Sequence, residues 1–125
     1  MKIIDYSKTK SIISSCGALK EGLKSNIGFA RVTIKKITDC HYHKKTTEYY
    51  LVLSGRGVLR TKKLKGQIRE AKLKPGILIE IETKELHQIH SIDSLQLETI
   101  SVPAWNAKDE FFSPVSLFNV YNSGK

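Results

Sequence analysis

The stretch CHYHKKTTEYYLVLSGRG, Cys40 to Gly57, decides how the chain is read. His41 and His43 lie two residues apart, so on an extended strand, where side chains alternate between faces, both imidazoles point the same way. The polar run Lys44-Lys45-Thr46-Thr47 is long enough to turn the chain, and the next strand opens with Glu48 as its first inward side chain. Tyr49 to Ser54 continues that strand. Tyr50 shares the Glu48 face, where it either lines a pocket and offers its hydroxyl to a substrate or packs as a core aromatic. The glycines of Ser54-Gly55-Arg56-Gly57 supply a tight turn with positive φ. Cys40 is adjacent to His41 and so faces the other way, as a core thiol.

A second stretch, KPGILIEIETKELHQIH from Lys74 to His90, answers the first. Pro75-Gly76 is a turn signal, and in the alternating strand after it Ile77, Ile79 and Ile81 share one face. His87 follows, and with His41, His43 and Glu48 it makes a candidate site of three histidines and one glutamate. His90 has the opposite parity to His87 and reads as exposed or as a supporting residue; Gln88 also falls opposite His87.

Short strands separated by turn signals surround these stretches. FARVTIKKIT from Phe29 is rich in β-branched residues, GVLRTKK reads as the returning arm of a hairpin with YYLVLS, and QIREAKL and LQLETISV, Leu95 to Val102, follow. This spacing predicts an all-β antiparallel sandwich or barrel. The first 28 residues show no sustained period; they are expected to wrap the barrel, with a brief helical turn over Gly17 to Lys24. After Pro103 the chain carries its only tryptophan, Trp105, and three of its four phenylalanines. That segment closes the barrel mouth, docks outside it, or completes a dimer. Arg31 and Arg60 lie in predicted strands, where either could face inward to hold an anion.

With 125 residues, 40% hydrophobic and 26% charged, the chain is expected to form one soluble globular domain over 1–125. No apolar run approaches the roughly 20 residues that span a bilayer, so no membrane role is expected. Asp5 interrupts any secretory h-region, and the two cysteines, Cys16 and Cys40, lack CxxC spacing; the expected location is the cytoplasm, with both thiols reduced. The net charge of +9 comes from lysines scattered over the whole chain, without a basic helix or an aromatic RNA-binding motif. That pattern points away from nucleic acid and toward solvated strand faces, or toward an anionic small ligand such as a phosphate or carboxylate.

These residues resemble the cupin superfamily, small barrels of the double-stranded β-helix (jelly-roll) type. His41, His43, Glu48 and Gly55 stand at the intervals of that family's first motif, and Gly76 and His87 at those of its second. The resemblance covers roughly residues 29–105, the expected barrel core. It implies that His41, His43, Glu48 and His87 bind a divalent transition metal (Fe, Mn, Ni, Cu or Zn). Three neutral imidazoles and a carboxylate suit any of these, leaving coordination positions for water or substrate. Two uses follow. One is a metal-dependent enzyme acting on a small oxygenated metabolite, a sugar or a keto or hydroxy acid, by isomerase, lyase or dioxygenase chemistry. The other is a non-catalytic binding or sensing module for such a metabolite. Small cupins commonly pair, so a homodimer is the expected assembly.

Overall fold

The computed structural model describes residues 1–118. Eleven strands follow one another: β1 (Ile12–Ser14), β2 (Gly17–Lys24), β3 (Gly28–Ile34), β4 (His41–Tyr42), β5 (Thr47–Ser54), β6 (Gly57–Lys62), β7 (Arg69–Leu73), β8 (Leu78–Ile81), β9 (Leu86–Ser91), β10 (Leu95–Val102) and β11 (Phe111–Phe112). Among the described residues helix is confined to two single 3-10 turns, Tyr6–Lys8 and Ala107–Asp109. No helix among the described residues is long and apolar enough to cross a membrane.

The strands form two antiparallel sheets, a jelly roll as expected. One runs β1-β2-β3-β10-β5-β8 and the other β11-β4-β9-β6-β7. Alternation builds the core between them. In β5 every second residue from Glu48 (Glu48, Tyr50, Val52) is buried, while Tyr49 and Leu51 are only half covered. Val32 and Ile34 of β3, Leu95 and Leu97 of β10, Leu59 of β6, Leu73 of β7, Ile81 of β8 and Ile89 of β9 complete one cluster. Each such side chain taken out of water stabilises the fold by about 1.5–3 kcal/mol.

Three expectations are corrected. The word barrel is too strong, because the two sheets are not joined by a strand ladder among the described residues. They are held by the side chains that interdigitate between their inner faces, as in a sandwich. YYLVLS and GVLRTKK are not a hairpin: β5 pairs with β10 and β8, and β6 with β7 and β9, so the chain crosses between sheets at Ser54–Gly57. Gly55 makes that crossing with φ +81, and a Cβ there would collide with the Ser94 carbonyl oxygen. Gly17 to Lys24 is not helical either. It is β2, paired along β3 with Leu19 opposite Val32, so the six-stranded sheet begins well before Phe29.

The segment after Pro103 adds a strand to one sheet and then docks on its outside, one of the three places expected for it. Phe111 and Phe112 form β11 and pair with Tyr42 and His41, closing one edge of the five-stranded sheet. Leu117 and Phe118 dock outside that sheet over Cys40, which is buried there as expected. Gln88, on the outer face of β9, fastens them: its side-chain oxygen accepts from the Leu117 N–H (2.8 Å) and the Ser116 hydroxyl (3.1 Å), while its amide donates to the Thr38 carbonyl. Residues 119–125 of this aromatic segment lie outside the described residues.

Candidate metal centre

His41, His43, Glu48 and His87 converge, with one donor atom from each lying within 4.8 Å of all the others. All four are buried, the histidines to 2%, 2% and 1% exposure and Glu48 to 7%. They reach the site from both sheets. His41 on β4 sits directly opposite His87 on β9 in the five-stranded sheet, and His43 follows at the end of β4. Glu48 comes across the core from β5 of the six-stranded sheet.

Each imidazole is held by a backbone carbonyl. His41 Nδ1 lies 2.9 Å from the Asp39 oxygen, His43 Nδ1 2.7 Å from that of Asp109, and His87 Nδ1 2.9 Å from that of Glu85. A carbonyl only accepts, so each Nδ1 carries the proton and each Nε2 presents a lone pair to the centre. His43 Nε2 and His87 Nε2 both stand 3.2 Å from Glu48 Oε1, and both are buried without a satisfying hydrogen bond. Lone pairs facing a carboxylate oxygen in a dry interior repel one another unless a cation, a proton or a metal ion, sits among them. The donor set therefore fits a divalent transition metal.

The electrostatics carry the same message. Burial pushes the Glu48 carboxyl up, but positive charge on the facing His43 and His87 rings, the proton standing where a metal ion would, outweighs it and holds it well below the usual carboxylate range. Burial lowers His43, yet the Glu48 carboxylate more than offsets this and raises it above its ordinary value. Burial, helped by the neighbouring His87, brings His41 down to about 4. Tyr50, buried at 3% exposure, donates its hydroxyl to Glu48 Oε1 at 3.0 Å and faces the cavity beside the site. Burial and then Glu48 push that phenol well above its usual value, so it remains a donor. His90 is exposed and packs edge-on against Phe118, away from the four. Neither arginine faces the cavity: Arg31 lies over Tyr6 and bonds Glu98, and Arg60 bonds Glu70 and the Leu117 carbonyl.

Two residues went unpredicted, Asp109 at the end of the short 3-10 turn after Trp105 and Glu110 just beyond it. The Asp109 carboxylate accepts from the backbone N–H groups of Lys44, Lys45 and Thr46, at 3.0 to 3.2 Å, and so shapes the turn between the histidines and Glu48. Its own carbonyl is the one that fixes His43. Glu110 brings a second carboxylate to the edge of the cluster, with Oε2 3.5 Å from His41 Nε2 and 3.0 Å from the Ser15 hydroxyl that donates to it. Neither stands at a motif interval, and no periodicity in the sequence marks them.

No protein-family model matches the chain. An uncharacterised protein of Methanocaldococcus jannaschii is 29% identical over 122 residues, covering 87% of this chain and 94% of the relative. A crystal structure of a protein from Planctomyces limnophilus superimposes with a TM-score of 0.74 at 22% identity, over 90% of this chain and 96% of that one. Bacillus subtilis oxalate decarboxylase gives 0.76 at 17% identity over 88% of this chain, and the capsular polysaccharide assembling protein CapF of Staphylococcus aureus 0.72 at 20% over 86%. The chain has the cupin fold. It spans about a third of the length of the last two proteins (32% and 33%), so what those whole proteins do is not carried over with the fold. On this fold, strands β4, β5 and β9 and the residue after β4 bring the four donors together.

Proposed function

We propose that this cupin, one domain over residues 1–125, binds a divalent transition metal through His41, His43, Glu48 and His87 and uses it to hold and activate a small oxygenated molecule. The observation that carries the reading is the pair of buried, unsatisfied Nε2 atoms of His43 and His87 aimed at one oxygen of Glu48, with all three Nδ1 protons fixed elsewhere by carbonyls. When bound, the metal supplies Lewis-acid chemistry, which is common to the isomerase, lyase and dioxygenase classes. The protein's share is positional. Three backbone carbonyls fix the rings, and Tyr50 orients the Glu48 carboxylate. The cavity of about 400 Å³ that contains His41, Glu48, Tyr50 and His87 gives the reacting group a mainly apolar surround. Asp109 locks the turn that sets the distance from His43 to Glu48.

Titration of the metal-free protein with Co(II) tests this. The expected outcome is a visible ligand-field spectrum saturating at about one ion per chain, lost in His43→Ala and Glu48→Ala. A spectrum no different from that of free aqueous cobalt would overturn it. Turnover is then sought with the loaded protein across sugars, keto and hydroxy acids, and alcohols. A homodimer is the proposed assembly, through the apolar edge that β1 exposes at Ile12 and Ile13. Sedimentation at micromolar concentration checks it.

A further inference from the structure

The cavity's lining says what kind of molecule it suits. Away from the four candidate ligands most of its wall is apolar, built from Leu19, Phe29, Val32, Ile89, Leu97 and Trp105, with Thr38 and Ser101 among the few polar groups between them. Its hydroxyls are partly spoken for, Ser15 donating to Glu110 and Thr99 to the Ala30 carbonyl. A sugar needs polar partners along its whole length, and these walls offer few of them.

Charge narrows the class further. Although the chain carries +9 overall, the lining contains one basic side chain, Lys24, against three carboxylates, Glu21, Glu48 and Glu110. The Lys24 ammonium lies 5.9 Å from the centre of the Trp105 ring. Three histidines and Glu48 around a divalent ion leave a surplus positive charge that would attract an anion. Glu110, with Oε2 only 3.5 Å from His41 Nε2, cancels it. An incoming carboxylate then meets no net attraction and one carboxylate directly beside it. Ser15 engages Glu110 Oε2, and a neutral hydroxyl entering the cavity finds a hydrogen-bond acceptor in the same group.

We propose that the cavity takes a neutral, mainly apolar molecule bearing a hydroxyl group, an alcohol or a phenol, and that Glu110 selects it over a carboxylic acid of the same shape. This rests on the metal-binding reading for the charge count in the loaded state; in the metal-free state the same lining is more negative still, and the preference has the same sign.

The test compares 4-methylphenol with 4-methylbenzoate, which share ring and methyl group and differ in the head. Trp105, the only tryptophan, lines the cavity and reports binding by its fluorescence. Both probes are titrated into zinc-loaded and into chelator-stripped protein, with bound zinc measured separately. The expected result is tighter binding of the phenol by at least about tenfold in both forms, with Glu110→Gln narrowing the ratio by about tenfold. Equal or tighter binding of the benzoate, or no response to the phenol, overturns the inference. If zinc fails to bind, the metal reading falls while the stripped protein still reports the preference. If zinc binds and the benzoate wins, only the ligand class falls.

Discussion

Replacing Asp109 by alanine removes the anchor between the C-terminal segment and the turn that carries the site. Its two carboxylate oxygens accept from three backbone N–H groups, those of Lys44, Lys45 and Thr46. Hydrogen bonds to a charged acceptor stabilise by about 1.5–3 kcal/mol each. Lys44 and Lys45 are exposed, so their N–H groups can turn to water and count at the low end or below; Thr46 is 2% exposed and cannot. A loss of about 3 kcal/mol is expected, a large part of the 5–15 kcal/mol typical of a domain and roughly 10 °C in melting temperature. Asp109→Asn is expected to fall between alanine and wild type, since its amide NH₂ would face donors. Urea denaturation of the metal-free proteins measures the difference, and the sign of its pH dependence provides a control. Burial raises the Asp109 carboxyl, but the three N–H donors together bring it below its usual value. Its contribution is then present above about pH 4 and lost on acidification through the lower folded value. Asp109→Ala should lack that component. A loss under about 1 kcal/mol for Asp109→Ala would refute the claim that this carboxylate holds the turn.

Other outcomes follow from the same geometry. Gly55→Ala should cost several kcal/mol and impair folding, because φ is +81 and the new methyl meets the Ser94 carbonyl; Gly76→Ala, with φ +94 and open space around it, should cost only about 1 kcal/mol. Thermal melts of the pair separate collision from backbone strain. Tyr50→Phe removes the hydroxyl 3.0 Å from Glu48 Oε1 and should weaken metal binding about tenfold while leaving the fold intact, read by competition with a chromophoric chelator. Without metal, stability should peak near neutral pH. The raised His43 contributes stability that is complete below about pH 6.5 and lost as pH rises through its folded value, whereas the His41 contribution is lost as pH falls from there toward about 4. Metal should flatten the alkaline limb, since it takes the place of the proton.

Much of the site was legible because its logic is local. His41 and His43 needed only strand parity, and Glu48 only a four-residue turn; Leu95 to Val102 is β10 to the residue. What could not be read was which sheet each strand joins. A glycine turn between YYLVLS and GVLRTKK looks the same whether the chain folds back in one sheet or crosses to the other, and only the partners of β5 and β6 distinguish the two. Leu19 and Leu23 imitate a helical face by their spacing of four, yet pairing with β3 outweighs so weak a local preference. Asp109 and Glu110 were hidden because their work is done on residues far along the chain, Ser15 and Lys44 to Thr46, to which no interval in the sequence points.

The central claim is that the two buried lone pairs facing Glu48 exist to hold a metal ion. Elemental analysis of protein purified without an affinity metal, exchanged against buffer and compared with His43→Ala and Glu48→Ala, tests it most directly. About one transition-metal ion per chain is expected in the wild type and a small fraction of that in either variant. Wild-type protein that retains no metal and binds none on addition of iron, manganese, nickel, copper or zinc, or variants that retain the wild-type content, would contradict it.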